Sequence, residues 1–221
     1  GSAAGMASSV QPVMELSAPV SNSGSGFAPN ILPAALWLGA GIAAFLIHVR
    51  TLPRRAQHFS RPAQLLGKMG LPAGVVVVQG LLLGFAARQV LTMHVANGPA
   101  FMLTLVVSGL SFLAMVLLLT KAFGDAGKAM AMVLLAVQLS SSGGVMPVEL
   151  SGGLFTQISP WLPMTWVVRA VKASLFGAFD GEWARPLVYV AASGAAALLL
   201  AMVVGRWRFV KTSALRPAVD L

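Results

Sequence analysis

The 221-residue chain is 57% hydrophobic and 10% charged, with a formal net charge of +9 and a mean hydropathy of +0.82. Soluble domains carry about 25% charged residues, so this composition cannot cover a surface in water and specifies an integral membrane protein. Basic residues that flank apolar runs encode topology, and the aromatic interleaving that single-stranded nucleic acid would need is missing. With no cysteine in the chain, disulfides, thiolate metal sites and a cysteine nucleophile are excluded.

Residues 1–29 are rich in Ser, Gly, Ala and Pro and read as an extended lead-in without the pattern of a signal peptide. A helix needs about 20 apolar residues to cross the hydrocarbon layer. Such runs occupy about 30–49, 70–91, 99–119 and 186–204. A further span, fourth in chain order, is expected over about 126–148, although its unbroken apolar part stops at Leu139 before Ser140, Ser141, Ser142, Gly143 and Gly144. The stretch that follows carries Pro160, Pro163, Arg169 and Lys172 and makes a poor simple span.

The loops settle which arrangement is consistent. Arg50, Arg54, Arg55, Arg61 and Lys68 follow the first span, Lys121 and Lys128 the third, and Arg206, Arg208, Lys211 and Arg216 the last, eleven of the fifteen basic residues. Five spans place all three clusters on one side, which the charge rule makes the inside. The N-terminus is then outside, and residues 209–221 form a cytoplasmic tail. The fold expected is all-α, with five transmembrane helices and a re-entrant or interfacial outer helical hairpin over about 140–179, before the last helix. Trp37, Trp161, Trp166 and Trp183 fall toward the outer side and are expected in an interfacial aromatic belt.

Inside the membrane, Gly143 and Gly144 permit a turn, the serines can satisfy freed backbone groups, and Pro147 needs no donor. Glu149 is expected to pair with Arg169 or Lys172, which share a helix face. Gly70, Gly74, Gly80 and Gly84 form two small-xxx-small pairs suited to close helix packing, within the bundle in preference to a dimer. Gln79 and Gln138 are expected to hydrogen-bond between helices. The first inner loop interleaves Arg54, Arg55, Arg61 and Lys68 with Phe59 and Leu65, as in a short amphipathic helix on the inner surface. No phosphate-loop motif is present, His48, His58 and His94 are dispersed, and the serines have no evident His/Asp partners. The expectation is no enzyme, no metal and no cofactor.

Two stretches, "SGFAPNILPAALWLGAGI" (Ser25–Ile42) and "VQLSSSGGVMPVELSGGLFTQISPWLPMTWVVRAV" (Val137–Val171), resemble the C-terminal membrane region of YhgE/Pip (phage infection protein) proteins, which have an ABC-2-type transporter domain. The resemblance implies that residues 30–208 are that domain and residues 1–29 the remnant of a larger external region. It assigns a coupling loop to Arg54, Arg55, Phe59, Arg61, Leu65 and Lys68. It assigns a re-entrant gating element to Ser141, Ser142, Gly143, Gly144, Pro147, Glu149, Pro160, Pro163, Arg169 and Lys172. The function expected is the permease of an ABC-2-like exporter in a bacterial cytoplasmic membrane, moving a hydrophobic, amphipathic or cell-envelope substrate. The alternative is a phage receptor or secretion-associated scaffold without transport. Expected partners are the lipid bilayer, a separate ABC ATPase subunit, and a second copy or paired permease; nucleic acid is not expected.

Overall fold

Asn97 caps the most apolar of the long helices: its Oδ1 accepts the Ala100 N–H at 3.1 Å, and proline occupies the first turn, where no donor is needed. The resulting helix, Gly98–Phe123, is the axis of the protein. It ends at Gly124, whose backbone (φ 67°, ψ −128°) requires glycine. A computed structural model describes residues 23–46, 51–90, 93–142, 153–205 and 207–211. In chain order these form α1 (Ser23–Leu46), β1 (Thr51–Pro53), a 3-10 turn (Arg54–His58), α2 (Arg61–Phe85, extended by a π turn, Ala86–Val90) and α3 (Gly98–Phe123). There follow α4 (Asp125–Ser141), α5 (Gly153–Ile158), a 3-10 turn (Ser159–Trp161), α6 (Pro163–Phe176), a 3-10 turn (Phe179–Gly181), α7 (Ala184–Val203) and β2 (Arg208–Val210).

Around α3 stand α1, α2, α4, α6 and α7, and the contact with α7 is the most extensive. Phe101, Leu105, Phe112, Leu113 and Leu117 of α3 are buried against Leu36, Val76, Val168 and Val190 of its neighbours. The outer faces are equally apolar: Ile31, Ile42, Val78, Leu82, Leu199 and Val203 are all exposed. Such a belt fits lipid as solvent. Since lipid tails are as apolar as leucine, close packing and buried hydrogen bonds hold the helices together, with little help from the hydrophobic effect. The protein is a multi-pass helical membrane protein.

Four helices are long and apolar enough to cross a bilayer, over Gly26–Phe45, Arg61–Gln89, Gly98–Phe123 and Ala184–Val203. Helix α4 has 17 residues, about 26 Å at 1.5 Å per residue, somewhat short of the roughly 30 Å of hydrocarbon. Residues 143–148 of the expected fourth span lie outside the described residues, as does Glu149.

Two expectations need correction. The inner loop holds no separate amphipathic surface helix: Ser60 stands at the N-cap and Pro62 in the first turn, so Arg61–Lys68 are the first two turns of α2 itself. The fold also contains a short sheet. Strand β1 pairs in parallel with β2, Leu52 opposite Phe209, tying the first loop to the segment after the last helix. Trp37 is not an interfacial anchor. It is 0% exposed, its Nε1–H donates to the Ala131 carbonyl at 3.1 Å, and its ring meets Phe112 edge-on at 5.0 Å. An indole at mid-helix can be buried because α4 supplies an acceptor for its polar end. Trp37→Phe removes that donor and should destabilise the protein by about 1 kcal/mol, read as a Tm drop of about 2–4 °C in detergent.

Candidate functional site

The two ends of the bundle differ in charge. At one end lie the close of α1, the 3-10 turn, the start of α2, the α3–α4 turn and the end of α7. Among the described residues this end carries Arg54, Arg55, Arg61, Lys68, Lys121, Lys128, Arg208 and Lys211, against the carboxylate of Asp125. Lys128 pairs with Asp125 at 3.0 Å. The opposite end mixes Arg88, Arg169, Lys172 and Arg185 with Asp180 and Glu182.

At the basic end, Gln64 organises the projecting loop. Buried among exposed neighbours, its Nε2 donates to the carbonyls of Ala56 at 2.9 Å and Phe59 at 3.0 Å. These two bonds fold the Arg54–His58 turn back onto the first turn of α2. Phe59 is thereby held out, 64% exposed, beside exposed Arg54, Arg55 and Arg61. Leu65 instead points inward and is fully buried. A cleft of about 440 Å³ opens next to the turn, lined by Leu52, Pro53, Ala56, Phe59, Gly67 and Lys68. The hollow is largely apolar, with Lys68 in its lining and exposed Arg54, Arg55 and Arg61 close by along the chain.

The two glycine pairs of α2 part company. A Cβ at Gly80 would come within 3.3 Å of the Val106 backbone of α3, and one at Gly84 would overlap Met102. Gly70 and Gly74, expected to pack within the bundle, meet nothing within 4 Å. Ten residues at about 100° each rotate the second pair away from the first, so one stripe cannot serve both.

At the opposite end, α4 hands over to α6 through Gln138. Its Oε1 accepts the Met164 N–H at 3.2 Å, capping α6 from another helix. Leu162, at the N-cap position, has no side-chain acceptor to offer. Gln79 bonds likewise from α2 to the Ala35 carbonyl of α1, at 2.7 Å. Ser140 and Ser141 donate back to the carbonyls four residues earlier, at 3.0 and 2.8 Å, which keeps their hydroxyls satisfied in an apolar setting. The far end of α6 is tied to the α2–α3 connection, where Ala96 and Asn97 N–H groups donate to Leu175 and Ser174 at 3.0 Å. Both ends of α6 thus meet elements at the end opposite the basic one.

Around this element, Ser159 and Thr165 hydroxyls lie 3.1 Å apart, close to Pro160 and Pro163. Trp166 donates to the Pro160 carbonyl at 2.9 Å and stacks on Tyr189 at 4.7 Å. The Arg169 guanidinium sits 4.6 Å from the Phe179 ring, a cation–π contact, while burial pushes the Lys172 ammonium below its ordinary value. Trp161 is 87% exposed. Ser141 and Ser142 are buried at the end of α4; Gly143, Gly144, Pro147 and Glu149 lie outside the described residues, and with them the expected ion pair.

Two features of the site were not anticipated from sequence: the Gln64 clamp, and the association of Lys121 with Trp207 through the end of α7. Lys121 donates to the Ala201 carbonyl and lies 4.5 Å from the Trp207 ring centre. A glutamine and a lysine at helix ends carry no spacing signal that would single them out.

Comparison with known proteins agrees with this architecture. Over 169 residues the chain is 27% identical to the "Uncharacterized protein YhgE" of Bacillus subtilis (strain 168), a match covering 74% of this chain and 21% of that protein. The chain therefore spans about a fifth of the length of this relative. No solved structure matches it. The family described as "ABC-2 family transporter protein" matches residues 5–203, nearly the whole helical bundle, and the chain belongs to that family.

Proposed function

We propose that the chain is the permease component of an ABC-2-type exporter in a bacterial cytoplasmic membrane. It moves a hydrophobic, amphipathic or cell-envelope substrate and depends on a separate ATPase subunit for energy, with no hydrolytic site of its own. The basic end faces the cytoplasm, as the excess of Lys and Arg favours, which puts the start of α1 outside and β2 inside. The ATPase docks on the 3-10 turn and the first turn of α2. Leu65, buried, supports that surface from beneath, and Lys68 borders its cleft.

One observation carries this reading: a large aromatic, Phe59, is held in the open by two hydrogen bonds from a buried glutamine, among three arginines. An aromatic residue surrounded by arginines has the composition of an interface core. At the other end, α5 and α6 form the outer element that closes the export path between transport steps.

Co-purification of an ABC ATPase, identified by its phosphate-loop motif, with the membrane-extracted chain tests the reading. Arg54→Glu, Arg55→Glu and Arg61→Glu together should lower its recovery by about tenfold or more, while the variant still purifies as a folded membrane protein. Undiminished recovery would overturn docking at this loop.

A further inference from the structure

A second cleft at the basic end, of about 370 Å³, lies between the start of α2 and the end of α7, and its lining includes Gln57, Phe59, Arg61, Lys121 and Trp207. That volume is at the lower end of the range for small-ligand sites, about 300–1,000 Å³. We propose that this cleft binds a phosphate group, of the kind carried by an anionic lipid headgroup or by free phosphate.

The first argument is the charge of Lys121. It is 2% exposed, and a buried ammonium ordinarily sits against a carboxylate or other anion. Among the described residues Lys121 meets none: a carbonyl of α7 and the face of Trp207 are its contacts. An ammonium has three donors, and one carbonyl occupies one of them. The second argument is Arg61. This exposed guanidinium lines the same cleft as Lys121. Two like charges across a small cleft repel unless an anion lies between them, and the guanidinium fork suits phosphate oxygens.

The third argument is independent of charge. Trp207 lines the cleft with its Nε1–H buried and without an acceptor among the described residues. Indole nitrogen is a donor only, so an incoming oxygen would satisfy it. Asp125, the carboxylate at this end, is engaged by Lys128 and is absent from the lining. Among the described residues the cleft thus gathers two cations and an orphan donor, with no acidic group in its lining to oppose an anion. The cleft lies at the first turn of α2, a helix long and apolar enough to cross a bilayer, so on the proposed orientation it falls near the lipid headgroups.

The inference does not depend on an ATPase, because it is read on the purified chain alone. In uncharged detergent, native mass spectrometry with phosphatidylglycerol and phosphatidylcholine reports retained lipid, and calorimetric titration with inorganic phosphate reports the free anion. Retention of phosphatidylglycerol over phosphatidylcholine by about tenfold is expected. Arg61→Gln, at an exposed position, should cut that preference about fivefold or more, and Lys121→Met should abolish it. Lys128→Gln, at a lysine already paired at the same end, should leave it intact. Phosphate binding that displaces the lipid would assign the site to free phosphate; lipid binding without phosphate binding would assign it to the headgroup. If neither binds, or if Arg61→Gln and Lys128→Gln weaken binding alike, no site exists there and only diffuse surface charge remains.

Discussion

Gly194→Leu is expected to be among the most damaging substitutions in the helical bundle. Gly194 of α7 faces Ser111 of α3, and a Cβ there would come within 2.7 Å of the Ser111 Cα. Backbone cannot step aside as a flexible side chain can, so α7 would have to move off the helix it contacts most. Overpacking of this sort costs about 1–3 kcal/mol, and a leucine opposite backbone should reach the upper part of that range. In a membrane the loss is not offset by a hydrophobic gain elsewhere, because close packing is itself the main cohesive term. The expected result is loss of a monodisperse peak in detergent chromatography and a Tm lowered by several degrees. Gly70→Leu and Gly74→Leu, where the added atoms meet open space, should stay within about 0.5 kcal/mol of the parent. Equal melting of all three variants and the parent would show that α3 and α7 do not approach as described.

Gln138→Leu should uncouple α4 from α6. The substitution puts an apolar residue of similar size at a fully buried position and withdraws the acceptor of the Met164 N–H. An orphaned buried donor costs about 1–3 kcal/mol, concentrated at one local contact. Hydrogen exchange at the first turn of α6 should therefore speed up by about tenfold or more, while α3 and α7 keep their protection. Unchanged exchange at Met164 would mean that α6 is held by its packing alone. On the proposed function, the same variant should also leak: the outer element would open without an ATPase cycle.

Much of the fold was legible in the sequence because lipid imposes a coarse and strong constraint. Apolar runs of about 20 residues marked the helices around 30–49, 70–91, 99–119 and 186–204, and the structure has long apolar helices there. Boundaries shifted where local chemistry outweighed hydropathy. Helix α2 begins nine residues before its apolar run, at Arg61, because Ser60 and Pro62 start a helix whether or not the residues that follow are apolar. Grouping the basic loops by counting spans also brought 50–68 and 206–211 to one end, and the β1–β2 pairing shows those segments in contact.

The candidate site was less legible. Arg54, Arg55 and Arg61 could be named from composition, but the conformation that presents Phe59 depends on Gln64, whose partners lie five and eight residues back along an irregular turn. Trp37 illustrates the opposite error. Its position near one end of an apolar run looked interfacial, yet whether an indole is buried depends on whether a neighbouring helix offers an acceptor. Hydropathy is blind to that.

The sequence by itself determined the solvent, the helical class, the approximate spans and the segregation of basic charge, since each follows from the cost of placing charge or unpaired backbone in hydrocarbon. The tertiary structure alone decided which glycines are contacts and which face outward, that β1 pairs with β2 across 157 residues of chain, and that Lys121 is buried beside Trp207. Those outcomes depend on where one helix lies against another to within an ångström or two, and no periodicity along a single helix encodes that distance.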